Sequence, residues 1–213
     1  MAATAALGRV DHLVYGADDL ERGIAEIEAL LGVRAARGGR HAQWGTCNAL
    51  LALGDHSYLE IVAPDADLPA PAERRPFGLG SGAPSRLVAW AANETALEGR
   101  RTAAAEHGVM LGSVQPGSRR LPDGAQLRWQ LTDLRCLVAD GVVPFLIDWG
   151  TTPHPALSAP QGAVLAELRL EHPDAVRVRS MLRVLGVDVP VASAQAPAIV
   201  AGIDCPRGRI ALR

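Results

Sequence analysis

The sequence predicts an α+β fold built from tandem units, each made of one strand, one helix and two or three further strands. Residues 11–33, DHLVYGADDLERGIAEIEALLGV, contain an apolar strand, an acidic turn, an amphipathic helix and a Gly-Val exit, in that order. The same order returns at residues 86–109, RLVAWAANETALEGRRTAAAEHGV, and a shortened version begins at residue 163. A chain that repeats one pattern in this way is expected to be a tandem of one small unit.

The first unit begins with a strand and a helix that the local pattern specifies. Residues 9–15 alternate as a strand does, which places His12 on the same face as apolar neighbours. Asp18 begins a pattern that resembles a capping box. Apolar residues then recur at helical spacing until Gly32 ends the helix. The pattern therefore predicts a helix that lies on a sheet.

The rest of the first unit is predicted to be a connection and two strands. Residues 34–40 are basic and contain glycine, so we expect an irregular connection there. Residues 43–53 and 57–63 lie on either side of the turn Gly54-Asp55, and their composition predicts two strands. Residues 64–84 are rich in proline and lack an apolar period, which indicates a connector between units.

The second and third units are predicted from similar signals. For the second unit we expect a helix at residues 95–106, a polar hairpin at 118–123, and strands at 86–91, 109–114, 125–132 and 142–149. The third should open with a strand that begins at residue 163 and a helix at 173–185. The predicted parts are a first unit at 8–65, a connector at 66–84, a second unit at 85–155 and a truncated repeat at 156–213.

The composition is that of a globular protein, and it excludes several classes of function. The 213 residues are 48% hydrophobic, and the net charge is −2. The 21 basic residues, all arginine, are scattered, so no nucleic-acid partner is predicted. No signal-peptide pattern and no apolar run of about 18 residues is present, so we expect a cytoplasmic protein with no membrane partner. No phosphate-binding, dinucleotide-binding or nucleophile-elbow motif is present, so no nucleotide cofactor is expected.

The repeated pattern resembles that of the vicinal oxygen chelate superfamily, which includes glyoxalase I, extradiol dioxygenases and bleomycin-resistance proteins. GGRHAQWGTCNALLALGDHSYLEIVAPD at residues 38–65 and PFLIDWGTTPHP at 144–155 are similar to its glyoxalase-like branch. The resemblance covers residues 8–155 well. It implies two βαβββ units whose mixed sheets curl into a cup, with a small organic molecule bound in the cup between the repeats.

The resemblance also implies metal ligands on the first and last strands of each unit. These positions correspond to His12 and Glu60 in the first unit and to Leu87 and Asp148 in the second. Because leucine cannot bind a metal, the implied set is His12, Glu60 and Asp148, which would suit Fe, Mn, Zn or Ni. Such a centre would act as a Lewis acid. The alternative is a metal-free pocket in which Glu60 pairs with His12 and acts as a general acid or base.

Further polar and aromatic residues are candidates for contacting the small molecule. Trp44 and Thr46 precede Asn48, a polar residue in an apolar strand whose amide either meets a ligand or caps a backbone edge. Arg128 would hold a carboxylate or phenolate if its face of the strand lines the cup. Asp148 is a candidate for ligand contact as well as for metal binding.

Other residues of the same types are predicted to lie outside the site. His41 and His154 occur in loop-like contexts and are expected at the surface. Alternation places Trp90 opposite Leu87 and Trp149 opposite Asp148, so both tryptophans are expected to be structural. Cys47, the cysteine nearest the candidate site, is expected to be a packed thiol.

Three functions remain open from the sequence. The first is a metal-dependent lyase, isomerase or dioxygenase acting on a substrate with two vicinal oxygens. The second is a metal-free protein that sequesters an apolar small molecule, as resistance proteins of the superfamily do. The third is an assembly role, in which the odd third unit pairs across a homodimer.

Overall fold

A computed structural model of the chain describes residues 7–68, 75–80, 82, 84–120 and 126–213. Within these ranges the chain forms a closed eight-stranded barrel and a separate four-stranded sheet. The first and second units contribute four barrel strands each. The predicted α+β fold of tandem units with a curled mixed sheet is therefore confirmed.

The first unit contains five elements in the predicted order. They are β1 (Val10–Gly16), α1 (Leu20–Leu31), β2 (Ala36–His41), β3 (Thr46–Ala52) and β4 (Tyr58–Pro64). The side chain of Asp19, one residue after the predicted Asp18, caps α1 by accepting from the Arg22 amide at 2.8 Å. Gly32 ends the helix with a φ of 75°, in the left-handed region that favours glycine. The apolar face of α1 is buried against the barrel.

Strand β2 corrects the prediction of an irregular connection at residues 34–40. The strand is ARGGRH, and its exposed residues are mostly arginine, so no apolar alternation identifies it. It forms because β3 and β6 lie on either side of it and provide backbone partners. The tertiary environment, rather than local propensity, specifies this strand.

The second unit has the same order of elements. They are β5 (Arg86–Asn93), α2 (Leu97–Glu106), β6 (Val114–Arg120), β7 (Gln126–Thr132) and β8 (Phe145–Asp148). The strand predicted at 109–114 is irregular until its last residue, and part of the predicted hairpin at 118–123 belongs to β6. The remainder of that hairpin lies outside the described residues, as does much of the predicted connector.

The barrel closes because the two units pair at both edges. The strand order is β1-β4-β3-β2-β6-β7-β8-β5, with β1 antiparallel to β5. Within each unit the first strand is parallel to the last. Side chains along each strand alternate between the interior and the outside of the barrel. The outward side chains form a core with the helices and the C-terminal sheet, and the inward ones form a separate cluster. The interior corresponds to the cup that the superfamily resemblance implies.

A β-bulge in β1 determines which of its side chains enter the barrel. Val10 pairs with Ala92 and His12 pairs with Ala91, so Asp11 is an extra residue on this strand. Val10 packs in the outer core, whereas His12 lines the interior. The bulge also brings the side chain of Asp11 to the His12 ring. Strict alternation would have separated the two.

The C-terminal part again contains a strand, a helix and three strands. They are β9 (Val164–His172), α3 (Ala175–Val184), β10 (Val191–Ser193), β11 (Ala198–Cys205) and β12 (Gly208–Leu212). Their order is β10-β9-β11-β12, with β9 parallel to β10, so this sheet is paired differently from a barrel unit. It packs onto the outer core of the barrel. None of the described helices has the length and apolar character needed to cross a membrane.

Candidate functional site

The barrel interior contains a cavity of about 510 Å³, including its open mouth. Ala156 and Ala159, from the segment after β8, form a buried cluster with Tyr58, which lines the cavity. Phe77, from the region predicted to be a connector, lies in the wall together with Pro76. A concave, largely apolar site with a few polar side chains is the usual character of a pocket for a small organic molecule.

His12 lies in the cavity with a buried carboxylate behind it. Its Nδ1 lies 2.7 Å from Oδ1 of Asp11. Because a carboxylate only accepts, Nδ1 carries the proton and donates it, which leaves Nε2 facing the cavity. Nε2 lies 3.6 Å from Oε2 of Glu60, longer than a direct hydrogen bond. The two side chains that the sequence singles out are therefore brought together.

Asp11 is held as an anion by the groups around it. It is only 1% exposed, and Trp149 Nε1 donates to its Oδ2 at 3.1 Å, while His154 Nε2 lies 3.4 Å from the same oxygen. Burial raises the pKa of Asp11, but the imidazoles of His12 and His154 outweigh that effect and lower the pKa to about 2. His154, expected at the surface, thus reaches the buried carboxylate.

Asn48 links the two charged side chains that line the cavity. Its Nδ2 donates to Oε1 of Glu60 at 2.6 Å. Its Oδ1 accepts from the Gly39 amide at 2.9 Å and from Nη1 of Arg119 at 3.3 Å. The donors on the oxygen side fix the orientation of the amide. Asn48 therefore caps a backbone edge and also positions cavity residues.

His41 is buried in the cavity wall, and the prediction of a surface position is wrong. It is 4% exposed, its Nδ1 lies 3.1 Å from Oγ1 of Thr46, and its Nε2 lies 4.0 Å from Oε1 of Glu60. Burial lowers the pKa of His41; the Glu60 carboxylate opposes this shift and the Arg119 guanidinium adds to it. His41 is thus a neutral ring near neutral pH.

Aromatic side chains form much of the remaining wall. Tyr58 stacks on His12 with ring centroids 4.6 Å apart, and Trp129 lies 5.1 Å from Trp149. Trp44 lines the cavity as predicted, whereas Trp149 was expected to be structural and lines it as well. Burial raises the pKa of Tyr58 well above its ordinary value, so the phenol stays neutral.

Trp90 and Cys47 occupy the structural positions predicted for them. Trp90 is fully buried on the outer face of β5, and its Nε1 donates to the Val142 carbonyl at 2.8 Å. The half-buried Cys47 thiol lies 3.8 Å from the backbone carbonyl of Ala63, and burial raises its pKa. Neither residue lines the cavity.

Two predicted ligand contacts lie outside the cavity. Asp148 and Arg128 line a shallow depression on the outside of the barrel, where Asp148 accepts from the Gly150 amide and Arg128 donates to Gln126. Asp148 is displaced because Phe145, Ile147 and Trp149 are the residues of this segment that line the cavity. Arg128 is displaced because β7 alternates in the opposite phase.

The first strand of the second unit, β5, was expected to place Leu87 at a metal-ligand position, but other residues of β5 face the barrel interior. Leu87 packs in the outer core. The side chains of β5 that pack in the inner core include Ala89 and Ala91, which are equally unable to bind a metal. The register of β5 therefore differs from the expected one, and the inward residues named here are not metal ligands.

The donor set does not match the predicted three-ligand metal centre. His12 and Glu60 face the same space, and a carboxylate behind a histidine is the usual arrangement of a metal-binding imidazole. Asp148, the predicted third ligand, lies elsewhere. In the part of the chain that the structure describes, no group of three histidine, cysteine or acidic side chains is suitably placed for a metal ion.

Arg119 and Asp11 are the main residues of the site that sequence reasoning missed. Arg119 lies within the predicted polar hairpin but points into the barrel beside Gly117, two residues earlier on β6. Charge alone gives no sign that an arginine of this segment faces inward. The sequence does show that Asp11 precedes the histidine of an apolar strand. This neighbour indicates a contact with His12 only once the bulge in β1 is known, because strict alternation would place the two side chains on opposite faces.

We expect Gly38→Ala to destabilise the protein by about 1–3 kcal/mol. A Cβ at this position would lie 2.6 Å from Nη1 of Arg119 and closer still to Oδ1 of Asn48, so the polar cluster must shift. Gly99→Ala is the matched control, because a Cβ there meets no heavy atom within 4 Å and the position is helical. The control should stabilise the protein by about 0.5–1 kcal/mol. Urea unfolding measures both, and equal stability of the two variants would contradict this account.

Comparison with known proteins identifies the family. A family model described as a glyoxalase-like domain matches residues 10–186, and no match was found among the curated proteins. A hypothetical protein from Staphylococcus aureus aligns with a TM-score of 0.66 at 12% identity, over 89% of this chain and 87% of that one. A methylmalonyl-CoA epimerase variant from Streptomyces coelicolor, in complex with 2-nitronate-propionyl-CoA, aligns with a TM-score of 0.43 at 18% identity, over 65% and 95%. The fold is that of the vicinal oxygen chelate superfamily, and the chain belongs to the glyoxalase-like domain family.

Proposed function

We propose that the protein is an enzyme that binds a small organic molecule in the barrel cavity and transfers a proton on it, as a lyase or isomerase does. The observation that carries this proposal is the arrangement of three residues: Asp11 contacts one side of the His12 ring, and Glu60 lies near the other side, in the apolar cavity. General acids and bases must lie within reach of the same substrate atoms, and two such groups face each other here.

Each of the two groups has a distinct role. Glu60 is the base that removes a proton from carbon or oxygen, and the hydrogen bond from Asn48 to Oε1 leaves Oε2 directed at the substrate. Nε2 of His12, which lies 3.6 Å from Oε2 of Glu60, then receives that proton and returns it to the substrate at a second position, while Nδ1 stays bound to Asp11. The carboxylate of Asp11 stabilises the imidazolium that forms when Nε2 is protonated. Proton transfer between these positions would isomerise the substrate or eliminate a leaving group.

The walls of the cavity support this chemistry. Trp129, Phe145 and Ile147 give the cavity an apolar wall, and a bound substrate that displaces water from it would strengthen the interaction between a developing charge and the polar residues. The rigid placement of the base by Asn48 reduces the reorganisation needed during the reaction.

The cavity contains two of the three metal ligands that were predicted for a metal-assisted reaction. His12 and Glu60 could each bind a divalent ion, which would supply a Lewis acid, but the described residues provide no third ligand beside them. The proton-transfer mechanism therefore uses only the side chains of the chain itself.

Exchange of a carbon-bound proton with solvent tests the proposal. We expect the protein in D2O to accelerate loss of the acidic C–H signal in proton NMR spectra for at least one of mandelate, phenylpyruvate and phenylacetone. The rate should be unchanged after exhaustive treatment with EDTA. Exchange no faster than in buffer for all three compounds would contradict the proposal. Exchange that is lost with EDTA and restored by Mn²⁺ would instead favour the metal-assisted reaction.

The aromatic wall also supports the second candidate, a protein that sequesters an apolar molecule without changing it. Three tryptophans, Trp44, Trp129 and Trp149, line the same cavity. A sequestering protein would bind a ligand with EDTA present and release it with all its protons unexchanged. The exchange experiment therefore separates the two functions.

A further inference from the structure

Arg119 is a buried cation in the cavity with few partners. The residue is 5% exposed, and its Nη1 donates to Oδ1 of Asn48 at 3.3 Å. Nε is buried without a hydrogen-bond partner. Among the described residues, no carboxylate forms an ion pair with this guanidinium. A buried charge is costly unless it is paired, so this arginine is suited to an anion that enters the cavity.

The strand next to Arg119 leaves room for its guanidinium. A Cβ at position 38 would lie 2.6 Å from Nη1, so glycine on β2 is what allows the arginine to lie against the sheet. Asn48 then holds Nη1 from the neighbouring strand. The guanidinium is therefore seated by two strands of the barrel rather than extended into solvent.

The position of Arg119 relative to Glu60 constrains the shape of the ligand. Asn48 bonds to both, through Oδ1 to the arginine and through Nδ2 to the carboxylate. The two charges are thus separated by roughly the width of one amide side chain. Glu60 is the carboxylate among the described cavity-lining residues, and it would repel a second anionic group.

We infer that the ligand of this cavity is a small monocarboxylic acid with an apolar or aromatic body, whose carboxylate is bound by Arg119. Guanidinium and carboxylate match in geometry and can form two parallel hydrogen bonds. With the carboxylate held there, the carbon next to it would enter the space that Glu60 and His12 line, and the apolar body would contact aromatic residues of the wall such as Trp129 and Phe77. This inference extends the proposed function. It rests on that function for the position of the reacting carbon beside Glu60 and His12.

Matched acid and amide pairs test the inference by isothermal titration calorimetry. The probes are benzoate, phenylacetate and mandelate, each compared with its neutral amide. We expect at least one acid to bind the unmodified protein about tenfold more tightly than its amide, as a charged hydrogen-bonded pair would give. Arg119→Met should abolish that preference and Arg119→Lys should retain part of it. Arg128→Met, the matched control on the outer face of the barrel, should leave the preference intact.

Three results would overturn the inference: equal binding of acid and amide by the unmodified protein, an acid preference that survives Arg119→Met, or no binding of any of the acids at millimolar concentration. The comparison in the unmodified protein remains decisive even if the Arg119→Met variant does not fold. An acid preference without proton exchange would leave this inference standing and remove the proposed function. Proton exchange on phenylacetone, with no preference for acids over amides, would leave the proposed function standing and remove this inference.

Discussion

Glu60→Gln is expected to slow proton exchange on a responsive substrate by about 10²–10⁴-fold. Glutamine keeps the shape of the side chain, and its amide oxygen can still accept the hydrogen bond from Asn48. It cannot accept a proton from the substrate near neutral pH. The loss should therefore appear in the rate of the chemical step, with ligand affinity changed far less, and single-turnover NMR with calorimetry measures the two separately.

Asp148→Asn is the matched control for Glu60→Gln. Both substitutions convert a carboxylate to an amide on the last strand of a unit, but Asp148 faces the outer depression. The control should exchange protons as fast as the unmodified protein. If the two variants exchange at the same rate, Glu60 is not the base.

The repeat of strand, helix and strands predicted the tandem α+β units, because it is visible in the apolar periodicity and in the glycine that ends each helix. The curled sheet was implied by the superfamily resemblance. The superfamily resemblance then singled out His12 and Glu60, which lie on the neighbouring strands β1 and β4. Both are polar residues on apolar strands, which the sequence shows, but alternation alone does not tell which face of a strand lines the barrel.

Register and bulges account for most of what could not be predicted. A shift of one residue in the alignment of β8 exchanged Asp148 for its inward neighbours Ile147 and Trp149. A single extra residue in β1 brought Asp11 to His12, although alternation assigns them to opposite faces. These features depend on pairing between strands that are distant in sequence. A homodimer and a cytoplasmic location stay predictions.

The two units divide the chemistry of the site between them. The first unit supplies the groups that can exchange protons, His12 and Glu60, and the amide that holds them. The second unit supplies apolar and aromatic walls and one cation, Arg119. Under the proposed function, the asymmetry visible in the repeat corresponds to a division between acid-base chemistry and ligand binding.

Asp11→Asn is expected to lower the exchange rate by about 10³–10⁴-fold, because His12 would lose the anion that fixes its tautomer. Asparagine can donate to Nδ1 as well as accept from it, so the ring could present a protonated Nε2 to Glu60 in place of a free one. The imidazolium would also lose its stabilising charge. The same substitution has a separate effect on stability, which does not require a substrate.

The stability effect depends on pH with a definite sign. Burial raises the pKa of Asp11, but its neighbours lower it from 3.8 to about 2 in the folded protein, so folding favours the ionised form. This contribution, on the order of 2 kcal/mol, is fully present above the unfolded pKa and is lost as the pH falls through the folded pKa. Urea unfolding at about pH 6 should therefore show Asp11→Asn to be less stable than the unmodified protein, with the gap closing between about pH 4 and pH 2. A gap that is independent of pH would mean that the lost packing, and not the carboxylate charge, accounts for the effect, and the assignment of Asp11 as the anion behind His12 would then be wrong.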